Sequence, residues 1–110
     1  MLENSTTARI VVTTIESIVE ARTLARTLVE EQLAACVNII PQTQSIYRWQ
    51  SVIEDSTESL LLIKTTTEKL AALEARLLSL HSYSTPEFLT LAVPEGNSDY
   101  LGWLTSSLHQ

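Results

Sequence analysis

Three side chains in this sequence carry the donor types that bind transition metals: His81, Glu87 and Cys36. Imidazole is a favoured neutral nitrogen ligand for copper, zinc and nickel. His81 also closes a leucine-rich helical stretch, where an imidazole interacts well with the helix dipole. Glu87, just after Pro86, offers a hard oxygen donor or a partner for Lys64 or an arginine. Cys36 is either a soft donor or a small hydrophobe within a strand. No CxxC, HxxxH or HExxH spacing is present. A metal site would therefore draw on distant segments or several subunits, and would be labile. No cofactor is obligatory; copper or another divalent cation is the ligand these donors suit.

A second set is aromatic. Tyr47, Trp49 and Tyr83, with Lys64, His81 and Glu87, could surround a cleft between subunits that holds a small anion or metabolite. Tyr47, Trp49 and Trp103 also suit a subunit interface, where Tyr and Trp are enriched. The serines and threonine of Ser82–Thr85 show no Ser/His/Asp arrangement. His81, Glu87 and Lys64 could exchange protons, yet no nucleophile or cofactor motif accompanies them, so the expectation is a protein that is not an enzyme.

Composition narrows the classes further. A net charge of −6 argues against nucleic acid, whose binding rests on neutralising phosphates with Lys and Arg. Two glycines, Gly96 and Gly102, are too few for a phosphate-cradling loop. No apolar run approaches the roughly 18 residues that span a bilayer, so no membrane role is expected. A single cysteine excludes an internal disulfide and suits a reducing compartment, and the cytoplasm is the expected location. Residues 1–7 lack the basic start and apolar core of a signal peptide and read as a disordered tail. Residues 8–110 read as one domain.

The elements that position these residues follow from periodicity. Arg9–Thr14 is a β-branched strand. Ser17 or a neighbour opens a helix to about Leu33, its stripe formed by Ile18, Ala21, Leu24, Ala25, Leu28, Val29 and Leu33. Ala34–Lys64 alternates as two long strands of a hairpin, and Pro41, which cannot donate to a ladder, marks a bend or bulge between Ile40 and Ser45. From Ala35 to Gln50 such a strand reaches roughly 50 Å if straight. That exceeds the body of a small domain, so it must curl, project or pair outside the chain. Thr65 and Glu68 have capping-box spacing before a helix lined by Leu70, Leu73, Leu77 and Leu80. Phe88–Val93 is the fourth strand. Asn97 or Ser98 caps a last helix whose Leu101, Leu104 and Leu108 face inward. The order is β-α-β-β-α-β plus a helix, an α+β split arrangement of ferredoxin-like type. Two one-sided helices cover one side of the sheet. Ala35/Val37/Ile39 and Cys36/Asn38/Ile40 are both largely apolar, so the other side needs a partner, most simply another copy.

Five segments carry a family resemblance: LVEEQLAACVNIIP (Leu28–Pro41), SIYRW (Ser45–Trp49), IKTT (Ile63–Thr66), HSYSTPE (His81–Glu87) and DYLGWL (Asp99–Leu104). In order and spacing they resemble the CutA family of divalent-cation tolerance proteins, over about Arg9 to Leu108. The resemblance implies a ferredoxin-like protomer in a tight homotrimer, similar in architecture to PII signalling proteins, with the hairpin strands completing a neighbour's sheet. It also implies a cytoplasmic protein linked to copper and divalent-metal tolerance. Two departures stand out. Ser82 replaces the family's usual proline after His81, which loosens that loop. Thr13 and Thr14 stand where some relatives have a cysteine, which removes a soft donor for copper(I). The leading expectation is a trimer that binds copper(II) weakly through His81 with Glu87 or Cys36. The alternative is a PII-like sensor whose cleft, near Trp49, Lys64, Tyr83 and Tyr47, binds a small molecule that a partner protein reads.

Overall fold

The computed structural model describes all residues from Met1 to Gln110. Strands are β1 (Leu2–Asn4), β2 (Ala8–Ile15), β3 (Cys36–Trp49), β4 (Val52–Thr66), β5 (Leu89–Ala92) and β6 (Glu95–Asn97). Helices are α1 (Ile18–Glu30), α2 (Leu70–Leu80) and α3 (Ser98–Ser107), with a 3-10 turn at Thr67–Lys69 before α2. The main sheet runs β3-β4-β2-β5, with every neighbouring pair antiparallel. This is the expected β-α-β-β-α-β order with an appended helix.

Directly paired residues share a face of a sheet, so the registers sort the side chains. Val37, Ile63 and Val11 form one row, and Ile39, Leu61 and Thr13 the next. These rows meet α1 and α2: Val11, Ile15, Leu61 and Ile63 pack with Ala21, Leu24, Leu28, Leu73 and Leu77 in the main core. On the opposite face lie Cys36, Lys64, Ile10 and Leu91, then Asn38, Leu62, Val12 and Leu89, then Ile40, Leu60 and Thr14. Helix α3 covers only one end of that face, where Leu101, Leu104 and Leu108 enclose Ala8. The remainder is open, with Ile40, Leu89 and Leu91 exposed at 45%, 59% and 50%. The sheet is thus uncovered on the expected side, apart from the end held by α3.

Several boundaries differ from the sequence reading, each for a local reason. Helix α1 ends at Glu30 rather than near Leu33. Gln32 turns left-handed at φ 59°, and the Leu33 and Gln32 amides donate back to the Leu28 and Val29 carbonyls. That is a Schellman stop with glutamine where glycine is usual. The Thr65–Glu68 capping box does not form. Thr65 lies in β4 and its hydroxyl donates to the Leu33 carbonyl at 2.8 Å. The N-terminal residues are not a tail either: Leu2, Glu3 and Asn4 pair with Asn97, Gly96 and Glu95 in a separate ribbon. Main-chain pairing orders them, although their side chains stay exposed.

The hairpin arm is the feature that builds the site. Strand β2 pairs β4 only from Ser59 to Thr66, whereas β3 and β4 remain paired out to Trp49 and Val52. Beyond Glu58 the pair is a free two-stranded ribbon roughly 20 Å long, and the protein extends 47 × 25 × 23 Å. A β-bulge interrupts the register between Ile40 and Thr43, at Pro41 as expected. One extra residue in β3 reverses which side chains face which way. Before the bulge Cys36, Asn38 and Ile40 share the open face; after it Thr43, Ser45, Tyr47 and Trp49 do, opposite Glu58, Ser56, Glu54 and Val52. At the tip, Gln50 and Ser51 both have positive φ, 51° and 68°. This is the geometry of a type I′ turn, which favours Asn-Gly. A non-glycine residue in that region costs about 1–2 kcal/mol, so Ser51→Gly is expected to raise stability by about 1 kcal/mol in guanidinium unfolding. A Ser51→Gly midpoint at or below that of the parent chain would contradict the turn geometry.

Candidate ligand-binding cleft

Where the arm leaves the sheet, a cleft of about 970 Å³ opens between it and the loop after α2. Strand β3 supplies Gln44, Ser45, Ile46, Tyr47 and Trp49, β4 supplies Ser56, Thr57 and Glu58, and the loop supplies Tyr83, Ser84, Thr85 and Glu87. Thr14 and Glu16, at the end of β2, close the floor.

His81 positions this loop. It caps α2 with its own amide on the Leu77 carbonyl, and its ring is buried. The Tyr83 amide donates to Nδ1 at 3.1 Å. Nδ1 is thereby an acceptor, so the hydrogen belongs on Nε2, which lies 2.7 Å from the Thr14 carbonyl and donates to it. Both nitrogens are engaged in tying the loop to β2. The ring therefore presents no free lone pair to a metal in this arrangement, and its geometry supports a clamp rather than the expected ligand. Ser82 does not leave the loop slack: its hydroxyl donates to Glu20 Oε2 at 2.8 Å and ties the loop to α1.

The clamp delivers Tyr83 to Glu58. The phenol donates to Glu58 Oε2 at 2.5 Å, and Glu58 is only 6% exposed. Burial first, then the Glu58 hydrogen bond and charge, push the Tyr83 phenol well above its usual range, so it stays a donor. Burial, reinforced by the Glu58 charge, also raises the Glu87 carboxyl above its ordinary value of 4.5. The chain's two ion pairs, Arg76–Glu31 and His109–Glu68, lie elsewhere. The cleft wall holds three glutamates and no Lys, Arg or His.

Of the residues singled out from the sequence, Tyr47, Trp49, Tyr83 and Glu87 come together here, with His81 just behind them. Lys64 does not. It lies six residues along β4 from Glu58, roughly 20 Å at strand spacing, with its ammonium 5.8 Å from the centre of the Tyr100 ring. Within one chain the cleft therefore carries no cationic side chain. Cys36 pairs with Lys64 on the open face and shares no surface with Glu87. No three His, Cys, Asp or Glu side chains gather as a metal cluster within the chain. Trp103 stacks near Tyr100 on α3, far along the sheet from Trp49. The sequence reading missed Glu58, Glu16 and Ser56. The signal for Glu58 was its place two residues before Leu60, on the same face of the same strand.

The CutA1 divalent ion tolerance family model matches residues 9–107. The chain belongs to this family. It is 50% identical over 95 residues to the divalent-cation tolerance protein CutA of Thermus thermophilus, covering 86% of this chain and 92% of that one. Curated vertebrate CutA relatives are longer, and the chain spans about half of their length. The CutA structure from Synechococcus elongatus is 44% identical, with a TM-score of 0.94 over 98% of this chain and 96% of that chain. A structure of that CutA in complex with a Bis-Tris molecule is 43% identical, with a TM-score of 0.90 over 97% and 99% of the two chains. A CutA from Archaeoglobus fulgidus, described as periplasmic, is 33% identical, with a TM-score of 0.90 over 93% and 99%. CutA structures thus share the ferredoxin-like fold seen here, and no helix of this chain is long and apolar enough to cross a membrane.

The Glu87 shift makes a pH dependence. A raised folded pKa means the folded chain holds this proton to higher pH than the unfolded chain. Stability contributed by that proton is present at low pH and is lost as pH climbs through the folded value. Glu87→Gln removes the loss. Its melting temperature is expected to exceed the parent's at pH 7 and to converge with it near pH 4; equal melting temperatures across that range would refute the assignment.

Proposed function

We propose that this chain acts in the response to divalent cations as a homotrimeric, non-enzymatic, cytoplasmic binding protein whose ligand seat is the cleft at the base of the arm. Divalent-ion tolerance is the family's role; the assembly, the compartment and the ligand are the proposal. The observation that carries it is a cleft lined by Glu58, Glu87 and Glu16 with no basic side chain beside them, spaced too widely to be a preformed metal cluster. Burial first, then the Glu58 charge, raises Glu87, and positive charge there would offset the second. Copper(II) is the divalent ion of choice, held weakly by carboxylate oxygens, with Glu87 the principal donor. His81 contributes as the clamp that holds the loop; Cys36 serves only where a neighbouring chain brings its thiol to the cleft.

Assembly is supported by the open apolar face and by the arm. An isolated two-stranded ribbon is marginal in water, and this one exposes Ile46, Val52 and Ile53. A neighbour's sheet edge would cover both. Light scattering at micromolar concentration is expected to give a trimer, and Leu91→Glu on the open face to give monomer. A monomeric parent chain would overturn the assembly.

A second reading, a PII-like sensor read by a partner protein, is favoured by the size of the cleft and by its aromatic residues, Tyr47, Trp49 and Tyr83. Pockets of this volume suit small organic molecules, and the Synechococcus relative was solved with one. Calorimetric titration of copper(II) separates the two. The metal reading expects weak saturable binding that falls about tenfold, or 1.4 kcal/mol, in Glu87→Gln. Absence of heat, or unchanged binding in Glu87→Gln, removes copper from the cleft and leaves the sensor.

A further inference from the structure

One hydrogen bond decides whether the loop after α2 stays in place. Residues 82–87 belong to no helix or strand, and their main chain makes no backbone–backbone hydrogen bond. Three polar contacts hold them: the Tyr83 amide on His81 Nδ1 at 3.1 Å, the Ser82 hydroxyl on Glu20, and the Tyr83 phenol on Glu58. Only the first is made by the loop's main chain. The His81 and Tyr83 rings also meet, 4.7 Å apart between centres. A segment with so few contacts opens at a small fraction of the free energy of global unfolding.

The Tyr83 amide bond exists only while Nδ1 keeps its lone pair. Neutral imidazole has one donor nitrogen and one acceptor; imidazolium has two donors. Nε2 donates to the Thr14 carbonyl in either state. A second proton therefore lands on Nδ1, where it faces the Tyr83 N–H, and the half-buried amide loses its partner. The titratable groups packed around this loop are Glu16 from the end of β2, Glu20 of α1 behind Ser82, Tyr47 of β3, Glu58 of β4 behind Tyr83, and Glu87. On α2 itself, Arg76 is paired with Glu31 and Glu74 is exposed. No free base stands against an imidazolium here. Burial and Glu58 push the Tyr83 phenol well above its usual range, so it keeps its own proton throughout. We infer that the loop is a proton-operated wall of the cleft: neutral His81 pins Tyr83 onto Glu58, and imidazolium releases the Tyr83 amide and frees the phenol. Every group involved lies in one chain, and the device does not depend on what the cleft binds.

NMR titration of the isotope-labelled, assembled protein from about pH 8 to about pH 5, the span over which histidine changes charge, tests this. The His81 ring is expected to carry one proton, on Nε2, at the upper end and two at the lower. The Tyr83 amide signal is expected to move with the same midpoint. Its exchange protection, corrected for the intrinsic pH dependence, is expected to fall at least about tenfold. In His81→Asn the amide oxygen stands in for Nδ1 as an acceptor that does not titrate, so the Tyr83 amide is expected to show no transition. The transition is expected to persist in Glu87→Gln, which separates it from titration of that carboxyl. A ring that takes its second proton while the Tyr83 amide stays put would overturn the inference. So would a ring still singly protonated at the acid end, or a transition that survives in His81→Asn. Both readouts on the parent chain stand even where His81→Asn does not fold.

Discussion

Strand β4 is where the demands of the whole protein meet. From Ser59 to Thr66 it is paired on both edges, by β2 and by β3 as far as Lys64, so its two faces belong to two different environments. Leu61 and Ile63 enter the helix-covered core, whereas Leu60 and Leu62 look out from the open side. Period-two geometry permits no other distribution. An unbroken apolar run, Leu60–Ile63, is what a strand shows when both of its faces must be apolar. Burying a leucine side chain contributes about 1.5–3 kcal/mol, so leaving the outward rows in water forgoes much of what that run could contribute. The apolar character of both faces of the sheet is thus written into one strand. The same strand, past the last residue it shares with β2, becomes half of the arm and carries Ser56 and Glu58 into the cleft.

Much of this was legible in the chain itself. The element order, the bulge at Pro41, the Ser17 and Asn97 caps and the inward leucines of α3 all follow from local chemistry that tertiary contacts did not override. The failures are just as local. Thr65 has the residue type and spacing of a cap, but strand pairing with Arg9 held its backbone extended and gave its hydroxyl to Leu33. Gln32 ended α1 in a left-handed conformation for which glutamine gives no signal. Residues 2–4 look featureless because their order comes from main-chain pairing with β6, which leaves no trace in side-chain pattern.

The site was harder to read than the fold, and the reason is parity. Tyr47, Trp49, Tyr83 and Glu87 were recognised as a group, yet Glu58 sits in a polar stretch of the hairpin, where its only signal is the face it shares with Leu60. Which face Glu58 and Tyr47 occupy depends on a one-residue bulge, and only the register reveals that the two agree. Lys64 does not reach the cleft of its own chain. It lies on the same face of β4 as Glu58, but six residues away, and a sequence gives the face without the reach. Its ammonium belongs with Tyr100.

His81 shows why a good donor type is weak evidence for ligation. Its imidazole could serve a metal, but the loop it begins runs from α2 to β5 past the end of β2, and two main-chain groups on that route need partners. One ring satisfies both, accepting from Tyr83 and donating to Thr14. Taking either nitrogen for a metal would strand a main-chain group and release Tyr83 from Glu58, so ligation there would dismantle the cleft it is meant to furnish. The histidine's contribution is indirect and earlier in the chain of causes: it fixes the loop, the loop fixes the phenol, and the phenol donates to Glu58.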